Sequence, residues 1–186
     1  MNYHNITKDD MLNGSGLRVV LWLSGCNHHC KGCQNPQTWD ENSGIEFDIL
    51  AKNEIFEELS KDYIAGITFS GGDPLHESNL DNVLNLIQEI YELFPNKTIW
   101  LYSGYTWEEC QPFDEESILK PNEFAPNLQS LLKKRYSIIK LVDVLVDGRY
   151  IDSLRDVSLH WRGSSNQRVI DVQESIKQNK IVLYDT

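Results

Sequence analysis

The stretch Arg18-Val19-Val20-Leu21-Trp22-Leu23-Ser24-Gly25-Cys26-Asn27-His28-His29-Cys30-Lys31-Gly32-Cys33 changes character halfway along. Residues 18–23 are an almost unbroken apolar run, the pattern of a strand buried on both faces of a parallel sheet. A glycine turn follows, and then three cysteines within eight residues of a chain that has only one other, Cys110. The run points to the fold class, and the triplet poses the chemical question.

Similar runs recur at residues 66–69 (GITF), 98–102 (TIWLY) and 142–146 (VDVLV). Between the second and third, Leu80, Val83, Leu84, Ile87, Ile90, Tyr91 and Phe94 repeat at helical spacing, entered through Ser78-Asn79 and stopped by Pro95-Asn96. Ile49, Ile55, Phe56 and Leu59 suggest a helix before the second strand, and Leu128, Leu131 and Leu132 one before the fourth. Strands alternating with helices imply an α/β fold with a parallel sheet or barrel. A further helix from Gln173 and a short last strand at residues 181–184 are expected in the tail. Residues 108–127, with Pro112, Pro121, Pro126 and the run Asp114-Glu115-Glu116, read as a surface excursion.

A chain of 186 residues, 40% apolar, suits a single domain over residues 1–186. A net charge of -11 argues against an electrostatic hold on nucleic acid or on an anionic membrane. No run of about 18 apolar residues and no signal-peptide layout is present, so a soluble, cytoplasmic protein is expected. Clustered cysteines in such a reducing compartment are ligands or thiols more often than disulfides.

Each expected strand is followed at once by a polar glycine turn: Ser24-Gly25-Cys26, Ser70-Gly71-Gly72-Asp73-Pro74, Ser103-Gly104-Tyr105 and Asp147-Gly148-Arg149. Any one of these suits an ordinary turn. In a parallel α/β fold all four share the carboxyl edge of the sheet, where ligands bind. Four segments therefore point at one place.

A closed zinc site would need a fourth ligand beside Cys26, Cys30 and Cys33. His28 and His29 lie between two of the cysteines, where a three-residue loop gives poor geometry for the same ion, and both are expected to be solvated. Iron–sulfur chemistry fits better, because each thiolate takes one iron of a cubane cluster. Three thiolates leave the fourth iron open, which a catalytic cluster can use.

The spacing Cys-x-x-x-Cys-x-x-Cys at Cys26, Cys30 and Cys33 resembles the signature of the radical S-adenosylmethionine (SAM) enzymes, and Gly71-Gly72-Asp73 resembles their glycine-glycine-acid motif. More closely, the chain is similar to the activating enzymes of anaerobic ribonucleotide reductase. Asn13-Gly14 with Arg18, Asn35 with Thr38-Trp39, residues 66–74, Tyr102-Ser103-Gly104-Tyr105, Val142-Asp143 with Asp147-Gly148, and Trp161-Arg162-Gly163-Ser164-Ser165-Asn166-Gln167-Arg168 carry the likeness, over roughly residues 13–171.

The resemblance implies a partial, open (β/α) barrel of parallel strands and a 4Fe-4S cluster ligated by Cys26, Cys30 and Cys33. It implies SAM as second cofactor, cleaved reductively to methionine and a 5′-deoxyadenosyl radical that makes a glycyl radical on the reductase. Other implied partners are a low-potential electron donor such as flavodoxin, with no nucleic acid and no membrane. Gly32, Cys33 and Gln34 would lie along SAM through their backbone. Gln34 stands where this family usually has an aromatic residue. Gly71 and Gly72 would admit the methionine end and Asp73 would meet its ammonium, the plainer reading of Asp73 being a cap ahead of Pro74. Ser103 and Gly104 would border the ribose or carboxylate, and Asp147 would touch the ligand. Asp143 would pair with a neighbour, and Arg162, Asn166 and Arg168 would hold SAM or the partner. Cys110 is read as a bystander thiol, and Trp39 and Trp161 as packing residues. Residues 108–136 are longer than the family leads one to expect and are read as a surface insertion. The competing readings are an activase of another glycyl radical enzyme, such as pyruvate formate-lyase, and a small zinc-binding interaction module.

Overall fold

The structure, a computed structural model, describes residues 1–112 and 125–184. Its strands are β1 (Asn2–Asp10), β2 (Leu17–Leu23), β3 (Ile45–Glu46), β4 (Ile64–Gly71), β5 (Thr98–Tyr102), β6 (Val144–Asp147) and β7 (Arg168–Asp171). They form one mixed sheet in the order β3-β1-β2-β4-β5-β6-β7. The four strands expected from the apolar runs are its centre, β2, β4, β5 and β6, paired in parallel. Antiparallel strands flank them, β1 on β2 and β7 on β6.

The flanking strands carry no apolar run, which is why the sequence does not announce them. β1 is the polar segment NYHNITKDD, and only Tyr3 within it is buried. β7 begins at Arg168, inside the block read above as a motif. The last strand expected at residues 181–184 is no more than a bridge between Leu183 and Ile170, with Tyr184 N–H donating to the Val169 carbonyl.

Four α-helices, α1 (Ile49–Leu59), α2 (Leu80–Leu93), α3 (Ala125–Leu141) and α4 (Val172–Gln178), accompany the sheet among the described residues. Asp48 caps α1 by accepting from the Leu50 and Ala51 amides, and Asp171 caps α4 through Glu174 N–H. One face of α2 supplies Leu80, Val83, Leu86, Ile87 and Ile90 to the core. Each such fully buried side chain contributes about 1.5–3 kcal/mol.

Of the stretch 108–136, residues 113–124 lie outside the described residues. The remainder is not all surface. Cys110 is buried in a 3₁₀ turn at Glu108–Cys110, and α3 brings Leu132 and Arg135 into the interior. A buried Arg135 is possible because its Nε donates to the Leu75 carbonyl and its guanidinium stacks 3.8 Å over the Tyr105 ring.

Strand alternation divides the sheet into two faces. Val19, Leu21, Leu23, Ile67, Phe69, Ile99, Leu101 and Leu145 join the helices in the main core. Trp100, Val144 and Val146 form a separate cluster on the opposite face, with Val169 and the half-buried Tyr102, Trp161 and Tyr184. That second face is sealed toward the amino ends of the strands by Arg18. Its guanidinium lies 5.4 Å over the Trp100 ring and donates to Thr68, Ser15, Thr98 and the Ile67 carbonyl. The carboxyl end of the same face opens into a hollow of about 550 Å³.

Candidate active site

The hollow is floored by one register row of the parallel strands. Trp22 pairs with Ser70 and Tyr102 with Val146, and since Phe69 pairs with Leu101, Tyr102 follows beside Ser70. All four residues line the hollow. The turns after β2, β4 and β5 then close over its carboxyl end, bringing Cys26, Cys30, Cys33, Gln34, Gly71, Gly72, Asp73, Ser103 and Gly104 to one place.

Main-chain bonds lock the cysteine loop. Gly25 and Cys26 donate to the carbonyls of Thr38 and Trp39, which end a 3₁₀ turn at Pro36–Thr38 and its cap. Gly72 N–H donates to Leu23 and Asp73 N–H to Gly25, each at 2.7 Å. Such close approach needs glycine. A Cβ on Gly72 would stand 2.5 Å from the Gly25 carbonyl oxygen, and Gly71 has φ +101° with a Cβ position 2.6 Å from Leu23 N.

All four cysteines are thiols. Cys26, Cys30 and Cys33 are half-buried in the wall of the hollow. Burial pushes Cys26 up to about 11 and raises Cys30 as well, so metal binding here must release protons. Cys110 is fully buried in the main core, away from the hollow, as a bystander would be.

Asp73 is the most heavily used side chain of the site. Its carboxylate accepts from Leu75 N–H at 2.8 Å, Ser103 Oγ at 2.9 Å, Gly104 N–H at 2.9 Å and His28 Nε2 at 2.9 Å. A carboxylate offers about four lone-pair sites, so this one is saturated. The bond to Leu75 is the cap-like turn; the other three tie the turns after β2 and β5 to the turn after β4. Asp73, expected to meet an ammonium, lines the hollow, and at 1% exposed with four internal donors it is also the hub of these turns.

His28 is likewise not solvated as expected. Its side chain is 5% exposed, packs edge-on to Tyr105 with centroids 4.4 Å apart, and accepts from Arg149 Nε at Nδ1. An arginine N–H can only donate, so the ring proton sits on Nε2, facing Asp73. His29 is exposed, with its ring beside Trp39.

Asp147 does not reach the hollow. In β6, Val144 and Val146 face the hollow side and Leu145 the helices, so Asp147 also points toward the helices. Its carboxylate takes Arg168 Nε at 2.9 Å, Arg168 Nη2 at 2.5 Å and Trp107 N–H at 2.8 Å. Arg168 also holds Glu108, and Asn166 donates to the Arg149 carbonyl, so neither projects into the site. Arg162 lines the hollow, its Nη1 on the Gln167 carbonyl. Asp143 pairs with a neighbour as expected, accepting from Ile99 N–H. Gly32 packs against the Asp152 carboxylate and does not line the hollow.

Sequence reading missed Trp22, Ser70 and Tyr102 as lining residues, although alternation along the parallel strands contains that signal. Trp39 and Trp161, expected as packing residues, do more. Trp161 does stack on Trp100 and Tyr184, yet both line the hollow. Among the described residues, two buried side-chain polar atoms lack a partner, Trp39 Nε1 and the Tyr102 hydroxyl, and both side chains belong to this wall.

The donor set fits an iron–sulfur cluster. Three thiols and the side chain of Trp39, whose buried indole N–H has no partner, line one hollow, and the sheet-edge turns leave room for a ligand of cofactor size. No three His, Cys, Asp or Glu side chains among the described residues converge as ligands of one ion. No helix among them is long and apolar enough to cross a membrane.

Comparison with known proteins agrees. Residues 12–170 match the family model of a 4Fe-4S single cluster domain. A protein of Escherichia coli K12 described as anaerobic ribonucleoside-triphosphate reductase-activating protein is 40% identical over 171 residues, 91% of this chain and 97% of the relative. Proteins of the same description are 38% identical in enterobacteria phage T4, over 91% of this chain and 93% of the relative, and 36% identical in Haemophilus influenzae, over 90% and 96%.

Proposed function

The chain belongs to the family of 4Fe-4S anaerobic ribonucleoside-triphosphate reductase-activating proteins, and on that footing we propose how its residues divide the work. Cys26, Cys30 and Cys33 hold three irons of the cluster, and SAM lies in the hollow against the turns after β4 and β5. When bound, the reduced cluster would supply one electron to SAM, whose reductive cleavage to methionine and a 5′-deoxyadenosyl radical would provide the hydrogen-atom acceptor for a reductase glycine.

This chain's own contribution is position and shelter. Gly71 and Gly72 let the turn after β4 close on the backbone of the cysteine loop, and the main chain they present to the hollow suits the methionine end of SAM. Asp73 acts from behind them, as the shared acceptor that holds the cysteine loop, the glycine turn and Ser103-Gly104 in register. Gln34 and Cys33 border the ligand on the loop side. The indole N–H of Trp39 suits a sulfur or anionic acceptor at the cluster end. No side chain needs to move a proton, and closure of the hollow against water matters more.

Helices on one face of the central strands and a hollow on the other support reading the sheet as a partial, open barrel of radical-SAM type. A reducing, cytoplasmic setting and a low-potential donor such as flavodoxin suit a site of uncombined thiols. The observation that carries the reading is that three thiols and two glycine turns line one hollow.

Anaerobic reconstitution with iron and sulfide, then reduction with SAM and the reductase, should give 5′-deoxyadenosine and a glycyl doublet in electron paramagnetic resonance. A colourless product with one zinc and no labile sulfide would end the reading. A doublet on pyruvate formate-lyase but not on the reductase would move the substrate assignment.

A further inference from the structure

The cysteine loop is anchored by its main chain chiefly at its start. Gly25 and Cys26 are tied to Thr38 and Trp39. Among the described residues, the one bond between main-chain groups made by residues 27–32 stays inside the loop, from Cys33 N–H to the Cys30 carbonyl. Next to Cys30 the loop also holds a non-glycine residue in the left-handed region, His29 at φ +46°. A side chain must therefore fix where the middle of this loop stands against the other sheet-edge turns.

His28 reaches all three of them. Toward the turn after β4, its Nε2 donates to Asp73 at 2.9 Å. Toward the turn after β5, its ring packs edge-on to Tyr105, and a Cβ on Gly104 would stand 2.3 Å from it. Toward the turn after β6, its Nδ1 accepts from Arg149 Nε at 3.1 Å, and Arg149 Nη2 continues to Glu109 at 3.3 Å. Both ring nitrogens are engaged by protein groups, so the imidazole keeps neither a donor nor an acceptor for a ligand. Arg149 does not line the hollow at all.

We propose that His28, held from outside by Arg149, is a positioning residue that sets the spacing between the three thiols and the Gly71–Asp73 turn, and through that spacing the affinity of the site for SAM. The inference rests on the function proposed above. Groups one layer behind a metal's ligands orient those ligands, and losing one typically costs about 10- to 100-fold in metal affinity or activity. His28 occupies that layer from within the loop itself, and Arg149 steadies it from a turn that supplies no thiol.

The test compares wild type with His28→Ala, His28→Gln and Arg149→Ala after anaerobic reconstitution, at equal iron and labile sulfide content. Calorimetry gives SAM affinity, electron paramagnetic resonance gives the change that SAM makes in the spectrum of the reduced cluster, and thermal melting gives stability. His28→Ala should weaken SAM binding about tenfold and diminish the spectral change. His28→Gln should recover part of both, because a glutamine amide can donate to Asp73 from the place of Nε2. Arg149, 54% exposed, should melt close to wild type when replaced by Ala, yet SAM binding should weaken about two- to fivefold. Wild-type SAM affinity and spectrum in Arg149→Ala and His28→Gln would overturn the proposal. So would a loss in His28→Ala with none in Arg149→Ala, since His28 would then touch the ligand itself. If His28→Ala takes up no cluster, the other two variants decide. A wild type that loads a cluster but neither binds SAM nor changes its spectrum would end the proposed function and this inference with it; variants that match a SAM-binding wild type would end this inference alone.

Discussion

His28 Nε2 donates to Asp73 Oδ2 across 2.9 Å, joining the middle of the cysteine loop to the turn after β4 inside a protein wall that leaves both side chains nearly inaccessible. The bond is one of four on that carboxylate, and this sets an order of severity. His28→Ala removes one charge-assisted donor and should cost about 1.5–3 kcal/mol. Asp73→Ala strands Ser103 Oγ, the Leu75 and Gly104 amides and His28 together, and should cost at least about 3 kcal/mol. Urea unfolding of the metal-free proteins measures both. Equal costs would show that Asp73 is not a hub.

Gly104 is where this junction tolerates least. A Cβ there would lie 2.3 Å from His28 Cδ2 and 2.6 Å from Nε2, so Gly104→Ala must push the imidazole off Asp73. Overpacking of this kind costs about 1–3 kcal/mol, and the displaced loop should retain less iron after reconstitution. Gly148 provides the contrast. Its φ is +97° but nothing stands closer than 3.8 Å to its Cβ position, so Gly148→Ala should cost about 1–2 kcal/mol of backbone strain and leave iron content unchanged. Iron and labile sulfide assays on the two variants separate crowding at the loop from strain elsewhere.

The central strands were legible because buried parallel strands must be apolar on both faces, as at Val19–Leu21 and Leu145. β1 and β7 were not, since a flanking strand packed on one side reads like a loop. The cysteine triplet and glycine turns were visible as local spacing. The role of His28 was hidden, because its partners Asp73 and Arg149 are 45 and 121 residues away. Asp147 was misplaced for a simpler reason: a polar residue at a strand end suggests a ligand contact, while the count of alternation from Val144 turns it toward the helices.

Arg168 should therefore behave as a structural residue. Arg168→Ala leaves the Asp147 carboxylate, 1% exposed, with only the Trp107 amide, and should lower stability by about 3 kcal/mol. Arg168→Lys keeps the charge but loses the two-pronged grip and should fall between. SAM affinity measured by calorimetry should stay close to wild type in both, because Arg168 does not line the hollow. A tenfold weaker SAM complex in a stably folded Arg168→Lys protein would return this residue to the binding site.

The fourth cysteine adds its own share to the loss of stability at alkaline pH, beside that of Cys26. Cys110 is fully buried, and desolvation pushes its thiol up to about 12 from an ordinary value of 9.0. The folded state holds this proton more tightly than the unfolded chain does. The associated stability is therefore complete below pH 9 and is lost as pH climbs from about 9 toward 12, at about 1.4 kcal/mol per pH unit for one proton. Cys110→Ala should be less stable than wild type at pH 8 because a buried side chain is cut back, but its stability should decline less steeply above pH 9. Cys26, raised to about 11, and buried tyrosines such as Tyr91, raised to about 12, add to the alkaline loss in both proteins, so the difference between the two slopes isolates Cys110. Labelling supplies the kinetic counterpart. In the metal-free protein a thiol reagent at pH 8 should modify the half-buried Cys26, Cys30 and Cys33 without unfolding, whereas Cys110 should react only at the rate at which the core opens. Rapid modification of all four thiols in the folded protein would show that the turn at Glu108–Cys110 does not seal the core.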